Sequence, residues 1–414
     1  MRRWWQVLLS LALALVVVSC GGGGGTFAGI GGGVGSGGTG APASGFGSIS
    51  GFGSIVVNGI RWETDGAQLV LEDTAELKLG MTVQVVGELD ADLATGRASR
   101  VFSAAELRGP AERIDAASGS FSVLGVYVTT DAGTVYAGGI GSLSDMAEGH
   151  VVQVHGLPSS PGKVRATRVE LLRGGGTPVI TGRVESLDTA ARTFRIGGTT
   201  IRYAGASFAP ELPAASLADG VLVRVRAPAP GVVLDASSVQ LWYAMEQREG
   251  TRLTLGGLLE ASGNGLQVDA VPVDVSGADV SGGAPAELSP GTPVEATGTV
   301  QGGVLVVEKV RIRNGAGAAQ VFSARGRVNG FESPARFRVQ GQTIDASAAE
   351  YVGGTAADLP GSRVLVTGTR VRDDVLLADR VEFQRQGNGN GNGGNGGGGS
   401  GNGGRDDDDD DDED

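Results

Sequence analysis

Apolar and polar residues alternate in a short block that returns five times along the chain. The block opens on a glycine and reads GMTVQVVGEL, GHVVQVHGLP, GVLVRVRAPA, GTPVEATGTV and GSRVLVTGTR. Alternation with a period of two indicates a β-strand that has one face on a core and the other in water. We expect burial for the valines three positions after each opening glycine, which are Val83, Val152, Val223, Val294 and Val364. We expect solvent exposure for the polar residues that follow them, which are Gln84, Gln153, Arg224 and Glu295.

A second apolar block follows each first block after a turn, as RASRVFS, RATRVEL, DASSVQL, VVEKVRI and LADRVEF. Its central valines are separated by 68, 70, 71 and 71 residues. Paired strands lie upstream, as in GRVESLDTAARTFRIGG, where a short polar segment predicts a hairpin loop. Each unit therefore holds about five strands and no convincing helix. A period near seventy is too long for a solenoid turn or a propeller blade, and it favours one small barrel or sandwich per repeat.

These repeats divide the chain into an all-β body and two low-complexity ends. The predicted β repeats 1 to 5 span residues 45–104, 105–176, 177–246, 247–314 and 315–386. Before them we expect a signal peptide at 1–19 and a Gly-rich tether at 20–44, and after them a Gly/Asn linker and acidic tail at 387–414.

The repeats resemble the bacterial domain-of-unknown-function family numbered 5666. Its repeats pair a V-x-G hairpin with an L-x-x-G-x-x-V-x-V-x-G strand, which this chain matches with VNG at 57–59 and LKLGMTVQVVG at 77–87. The resemblance covers roughly residues 46 to 385. It is clearest in the first repeat and weakest in the fourth, where Ala296 takes a core position. It implies an OB-like β-barrel in each repeat and a location outside the cytoplasm, and it implies no activity.

The N-terminus carries an export signal. Two arginines precede an apolar run from Trp4 to Val18, which is shorter than the roughly 20 residues of a membrane-spanning helix. The run ends in VVSC, which resembles the lipobox of bacterial lipoproteins, with Val17 where leucine is usual. We therefore predict that Cys20, the only cysteine in the chain, carries a lipid that anchors the protein to a membrane. The alternative is an ordinary signal peptide or anchor with an incidental cysteine.

The resemblance to lipoproteins also bears on location. In those families an aspartate after the cysteine marks retention in the inner membrane, whereas this chain has Gly21. The resemblance thus implies an outer-membrane lipoprotein, facing either the periplasm or the cell surface. The residues that follow, as far as about Ser44, are mostly glycine, serine, threonine and alanine, a composition typical of a flexible tether.

Composition and charge narrow the remaining classes. The chain has 74 glycines and only 5% aromatic residues, and valine dominates its apolar runs, which argues against long helices. Its net charge of −13 is concentrated in the last nine residues, 406–414, all of them acidic. The body is mildly acidic and lacks the basic footprint of a nucleic-acid binder, so we expect no nucleic-acid partner.

The acidic tail itself predicts a disordered segment, because a block of like charges repels itself. Solvation or electrostatic spacing is the first interpretation of its role. The alternatives are weak divalent-cation binding and docking to a basic partner. Carboxylates suit hard cations such as Ca²⁺, but tight sites need a shaped loop.

No catalytic apparatus is recognisable. The two histidines, His150 and His155, lie an odd number of residues apart on one predicted strand and therefore on opposite faces, so they cannot hold a metal together. Other repeats fill these two positions with varied residues, so both are predicted to be variable surface positions. No nucleophile elbow, phosphate-binding loop, metalloprotease motif or EF-hand spacing is present. The neighbouring carboxylates Glu72 and Asp73 lie in a turn, at positions that do not recur in other repeats. We predict no enzymatic activity, no cofactor and no metal site.

Aromatic residues are the remaining candidates for ligand contacts. OB-like barrels often bind oligosaccharides or oligonucleotides through stacking aromatics on one face. Core or rim packing is the alternative role for the candidates here, which are Trp62, Tyr127, Tyr203, Trp242 and Tyr243. The sequence thus predicts a non-enzymatic, lipid-anchored envelope protein whose tandem β modules serve interaction or scaffolding, with an envelope protein or a carbohydrate as partner. The alternative is a lipoprotein that binds carbohydrate or another small ligand.

Overall fold

The protein's structure, a computed structural model, describes residues 40–242, 245, 247–263, 265–313 and 320–384. In these ranges the chain forms thirty-four β-strands and four single-turn 3₁₀ helices. None of the described residues belongs to a helix that is long and apolar enough to cross a membrane. The predicted signal peptide, Cys20, most of the tether, Tyr243 and the acidic tail lie outside the described residues.

Repeat 1 is a closed five-stranded barrel with one added strand. Its strands are β1 (Ala41–Phe52), β2 (Ile55–Val57), β3 (Ile60–Glu63), β4 (Gln68–Leu71), β5 (Thr82–Leu89) and β6 (Thr95–Ser103). The strands β1, β2 and β3 form antiparallel pairs, β3 runs parallel to β6, and β6 and β1 both pair antiparallel with β5. The added strand β4 runs parallel to the second half of β6. This closure is that of an OB-like barrel.

Repeats 2 and 4 close in the same order. Repeat 2 contains β7 (Leu107–Asp115), β8 (Ser120–Val123), β9 (Val126–Thr129), β10 (Val135–Ala137), β11 (Val151–Ser160) and β12 (Lys163–Leu171). Repeat 4 contains β21 (Arg252–Ser262), β22 (Gly265–Val268), β23 (Val271–Asp274), β24 (Asp279–Ser281), β25 (Pro293–Gln301) and β26 (Val304–Ile312). In each barrel the third strand again runs parallel to the last one.

Repeats 3 and 5 keep this order with interrupted strands. Repeat 3 contains β13 (Val179–Arg183), β14 (Glu185–Asp188), β15 (Thr193–Ile196), β16 (Thr199–Arg202), β17 (Ser207–Phe208), β18 (Leu222–Arg226), β19 (Val233–Asp235) and β20 (Ser238–Leu241). Repeat 5 contains β27 (Phe322–Ser333), β28 (Arg336–Val339), β29 (Gln342–Asp345), β30 (Glu350–Val352), β31 (Arg363–Gly368), β32 (Arg370–Arg372), β33 (Val375–Leu377) and β34 (Arg380–Phe383). The 3₁₀ turns of repeats 2 to 5 are Leu143–Asp145, Ala214–Ser216, Pro285–Glu287 and Ala356–Asp358.

The repeated valines occupy the barrel cores, as predicted. All five valines of the first block are at most 1% exposed, and the same holds for the central valines of the second block. Ala296, the departure in repeat 4, is also fully buried. The period-two pattern therefore gave the correct strand register, since a slip of one residue would have turned every valine outward.

The predicted exposure of the polar face is wrong at three of the four positions. Gln153, Arg224 and Glu295 are 3%, 1% and 6% exposed, and only Gln84 is partly open to solvent. Arg224 and Gln153 both contact Asp73 of another repeat, and Glu295 is covered by an ion pair with Arg313 of its own repeat. A polar strand face can be buried when another part of the chain supplies partners for its hydrogen bonds and charges.

Four of the five barrels share apolar cores in pairs, and the barrels also meet at sheet edges. One apolar cluster combines the interiors of repeats 2 and 3, and another combines those of repeats 1 and 5. Strand β1 pairs in parallel with β21 of repeat 4 over Ala43–Phe46 and with β27 of repeat 5 at Gly51 and Phe52. The glycines of β1 make this approach possible, because a Cβ on Gly45 would lie 2.6 Å from the Thr254 Cγ2 atom.

Candidate functional site

A set of buried ion pairs lies where repeats 1, 2 and 3 meet. The carboxylate of Asp73, which follows strand β4, is 1% exposed and pairs with the guanidinium of Arg224 on strand β18. Its Oδ1 atom lies 2.7 Å from Arg108 Nη2 on strand β7. The backbone N–H of Ala105 donates to the Oδ2 atom at 2.9 Å. One carboxylate thus connects three repeats.

The positive partners of Asp73 are themselves held in place. Arg224 donates from Nη1 to Glu72 Oε2 at 2.6 Å and from Nε to the Ala105 carbonyl at 3.1 Å. Its guanidinium also lies 4.9 Å from the ring centre of Trp242, within the range of a cation–π contact. The Arg108 Nε atom donates to Gln153 Oε1 at 3.0 Å, and Gln153 Nε2 donates to the Asp73 carbonyl of repeat 1 at 3.5 Å.

Electrostatics keep this carboxylate ionised. Burial alone would raise the pKa of Asp73, but Arg224, the Ala105 N–H and Arg108 outweigh it and hold the pKa below its ordinary value. The cluster, defined by Asp73, Glu72, Arg108, Arg224 and Arg226 and called the Asp73 cluster below, is therefore a network of opposite charges. The cluster therefore holds repeats 1, 2 and 3 together.

A second buried polar group lies between repeats 1 and 2. Thr82, Glu106 and His155 are each at most 1% exposed. The Thr82 hydroxyl lies 2.8 Å from Glu106 Oε1 and 3.1 Å from His155 Nδ1, and the Gly156 N–H donates to Glu106 Oε2 at 2.8 Å. Burial raises the pKa of Glu106 to about 8, despite hydrogen bonds from Thr82 and Gly156 that lower it. Burial, together with the positive charge of Arg168, lowers the pKa of His155 to about 3.

This trio combines a hydroxyl, a carboxyl and an imidazole, which are the groups of a nucleophilic triad. Its geometry differs from that of a triad, because the carboxyl and the imidazole both contact the threonine hydroxyl and neither orients the other. The hydroxyl is also fully buried, so no substrate reaches it in this arrangement. The trio joins two barrels through satisfied polar contacts, apart from His155 Nε2, which has no partner among the described residues.

A small cavity borders the trio. It has a volume of about 30 Å³ and is lined by residues of repeats 2, 3 and 4, among them Glu106, Thr181 and Asp269. The Thr181 hydroxyl and the Asp269 Oδ1 atom are buried without a hydrogen-bond partner among the described residues, and burial raises the pKa of Asp269. That volume is comparable to one water molecule and is far below the roughly 300 Å³ of a ligand pocket.

The histidine prediction is half wrong. His150 is half-buried, and its Nδ1 atom accepts a hydrogen bond from the Ala147 N–H at 3.2 Å. His155 is buried, where a surface position was predicted, because the neighbouring repeat supplies Thr82 to contact its ring. Among the described residues no group of three histidine, cysteine or acidic side chains is placed to hold a metal ion.

The aromatic candidates lie mostly in the interior. Trp62 is fully buried in the core of repeat 1, and Tyr203 packs on Phe194 and Phe208 with ring centres 5.7 and 6.0 Å apart. Trp242 is 2% exposed beneath Arg224. Tyr127, at 42% exposure, is the member of this set that is open to solvent. The described candidates therefore do not form a stacking face.

A family model now accounts for the repeats. The model named "Domain of unknown function (DUF5666)" matches residues 47–101, 108–170, 181–240 and 325–382, which together make up more than half of the chain. The chain belongs to the DUF5666 family. Each match covers one of the barrels described above. The fourth barrel of this DUF5666 protein, between 247 and 314, has the same strand order but is not among the matched ranges.

Comparisons with individual proteins add little to this DUF5666 assignment. No curated protein matches the chain. Among solved structures, the chain described as "drosophila Unr CSD456" is similar at 15% identity with a TM-score of 0.15, covering 41% of this chain and 79% of that one. A similarity at that level carries no weight, so the barrel assignment rests on the strand pairing.

Sequence reasoning missed the Asp73 cluster. It placed Glu72 and Asp73 in a turn at positions that do not recur in other repeats, but their partner Arg224 comes from about 150 residues away. The usable signal was on the other side of the contact, in the strand LVRVR, where Arg224 stands at a position that the other repeats fill with uncharged or acidic residues.

Proposed function

We propose that this protein is a non-enzymatic, lipid-anchored envelope protein whose barrels form a scaffold that presents its surface to a partner protein. The supporting observation is the Asp73 cluster. Its buried ion pairs tie repeats 1, 2 and 3 to each other, so the modules present their surfaces in a fixed arrangement rather than as independent beads. A fixed arrangement lowers the entropy cost of binding a partner that spans several modules.

Exposed apolar side chains indicate where such a partner would bind. Leu69 on repeat 1 is 51% exposed, and Tyr127 on repeat 2 is 42% exposed. In repeat 3, Val232 is 89% exposed and Val233 is 41% exposed. Single exposed apolar residues are common on protein surfaces, so their role needs a direct test.

The test is site-specific photo-crosslinking in intact cells with the full-length protein. We expect a photoreactive residue at Tyr127 or Val232 to give crosslinks to one defined envelope protein, while the same residue at the exposed but polar Glu211 gives none. Crosslinking to many proteins alike at all three positions would contradict the scaffold proposal. Saturable binding of a purified glycan to the full-length protein, with no protein crosslink, would favour the carbohydrate-binding alternative.

A further inference from the structure

A groove on repeat 5 is lined by basic and polar groups. It has a volume of about 380 Å³ and is bordered by Arg327, Gly361, Ser362, Arg363, Phe383 and Gln384. Arg327 is on β27 and Arg363 is on the neighbouring antiparallel strand β31. Both arginines are exposed, so the groove is accessible to solvent. No acidic residue lines it.

The two arginines stand directly opposite each other in the sheet. Arg327 and Arg363 are register partners in the antiparallel pair, one position outside the repeated Gly–Val pair, here Gly326 and Val364. Like charges directly opposite each other across two strands destabilise a sheet. The equivalent register pairs in repeats 1 to 4 are Ser48 with Thr82, Pro110 with Val151, Arg183 with Leu222, and Leu258 with Pro293. The double arginine thus occurs in repeat 5 alone among the described barrels.

The surrounding groups leave the positive charge uncompensated. Arg325 lies two residues before Arg327 and donates from Nη2 to Gln384 Oε1 at 3.0 Å, and Arg327 Nε donates to the Gly361 carbonyl at 2.9 Å. Within the described ranges none of these three arginines forms an ion pair with a carboxylate. Glu382 on the adjacent strand β34 aligns with Leu365 and does not line the groove. An anion in the groove would remove the repulsion.

We propose that the groove binds the acidic end of this same chain, residues 406–414. Gln384 borders the groove and is the last described residue, so the remaining chain leaves from the site itself. The intervening sequence is mostly glycine and asparagine, and chains of that composition and length have an average end-to-end distance of about 25 Å. Nine consecutive acids match a guanidinium pair, since arginine forms paired hydrogen bonds with carboxylates.

Tethering favours this occupant over a polyanion from outside. A short flexible connection gives an effective concentration in the millimolar range. An external polyanion has no such advantage, because it is not tethered beside the groove. The inference is independent of the proposed scaffold function. It gives the acidic tail a docking site within the protein, where the sequence alone suggested a spacer, a cation collector or a segment that docks to a basic partner.

The test measures whether a labelled peptide of sequence DDDDDDDED competes with the tail for the groove. Peptide binding is monitored by fluorescence anisotropy at low salt. Four full-length proteins are compared. They are the natural chain, a chain with residues 406–414 changed to the corresponding amides, that amide chain carrying Arg327→Gln and Arg363→Gln, and the amide chain carrying Arg195→Gln and Arg202→Gln. The last pair removes two exposed strand arginines from repeat 3 and serves as the matched control.

We expect the amide chain to bind the peptide and the natural chain to bind it at least about tenfold more weakly, because its own tail occupies the groove. The Arg327 and Arg363 substitutions should also weaken binding at least about tenfold, and the control pair should have little effect. Equal binding by the natural and amide chains would overturn the proposal. So would unchanged binding after the Arg327 and Arg363 substitutions. The natural and amide chains could also bind inorganic phosphate or anionic vesicles equally through this arginine pair, and not bind the peptide. That result would overturn the proposal and assign the groove to an external anion.

Discussion

At the scale of single residues, the buried charge of Arg224 helps to fix how repeats 1, 2 and 3 pack together. Its side chain is fully buried and contacts Asp73, Glu72, the Ala105 carbonyl and the Trp242 ring. A buried ion pair gains little over a well-packed apolar pair, but removal of one partner leaves the other charge buried without compensation. The cluster therefore makes the junction of repeats 1, 2 and 3 specific, since an arrangement without these partners would be costly.

Substitution of Arg224 tests this point. We expect Arg224→Ala to lower the free energy of unfolding by about 3 to 5 kcal/mol, because Asp73 loses its main partner while remaining buried. Urea-induced unfolding followed by tryptophan fluorescence is a suitable measurement, since Trp242 lies against Arg224. Arg202→Ala, which breaks an exposed pair with Asp235, should cost no more than about 1 kcal/mol. Equal costs for the two substitutions would show that the cluster does not stabilise the junction.

Glu106 and His155 of the buried trio are predicted to change the stability of the fold with pH in opposite directions. The raised pKa of Glu106 means that the folded state holds a proton which the unfolded chain releases, so this contribution to stability falls as pH rises from about 4.5 to about 8. The lowered pKa of His155 has the opposite effect, and its contribution falls as pH drops from about 6.5 to about 3. The two effects cancel between about pH 4.5 and 6.5, where these groups give the highest stability.

Glu106→Gln should therefore remove the decline on the alkaline side. Between pH 6.5 and 8 we expect the natural chain to lose about 2 kcal/mol more than the variant, since each pH unit with one proton difference changes the free energy by about 1.4 kcal/mol. Unfolding free energies measured across this range provide the check. Glu112→Gln, at an exposed position on the same strand β7, is the control and should follow the natural profile. A variant at Glu106 that retains the full decline would show that another group causes it.

At the scale of strands, the sequence correctly predicts which residues enter a barrel core. It does not correctly predict which polar residues remain exposed to solvent. Val83 and its four equivalents are buried because alternation within one strand is a local property. The exposure of Gln153 and Arg224 depends on a second repeat, and the strand pattern contains no information about that repeat. The same limit applies to His155, whose contact with Thr82 joins two repeats. The sequence also did not predict the role of the glycines in strand β1.

Those glycines allow strand β1 to pack against the first strands of repeats 4 and 5. A Cβ on Gly51 would collide with the Ser323 hydroxyl and lie 3.1 Å from Val56 Cγ2. We expect Gly51→Ala to lower the free energy of unfolding by about 1 to 3 kcal/mol, as in other overpacked interiors. Gly205→Ala, at a position with no atom within 4 Å of the added Cβ, is the matched control and should have a small effect. If chemical unfolding gives the same midpoint for both variants, β1 does not need glycine at this contact.

At the scale of the whole molecule, contacts between repeats are not confined to repeats that are consecutive in the chain. Arg168 of repeat 2 pairs with Asp374 of repeat 5, and Lys78 of repeat 1 pairs with the same carboxylate. Asp73 of repeat 1 pairs with Arg224 of repeat 3. Because the five sequence blocks carry nearly the same pattern, they predict five similar barrels and are silent about which surfaces meet. The divergent polar residues, which differ from repeat to repeat, make those contacts specific.

Under the proposed lipid anchoring, Cys20 fixes the location of the whole molecule. We predict that Cys20→Ala abolishes metabolic labelling with a fatty acid and releases the protein from the membrane fraction or stalls its processing, because the chain has no second thiol to acylate. Ser19→Ala is the control; it keeps a small residue before the cysteine, as the lipobox resemblance requires, and should remain labelled and sediment with membranes. Stable anchoring needs more than one acyl chain, so partial loss of lipid should already shift the protein toward the soluble fraction. Continued lipid labelling of the Cys20→Ala protein would contradict lipid attachment at this cysteine, and unaltered sedimentation without label would place the membrane contact in the folded body.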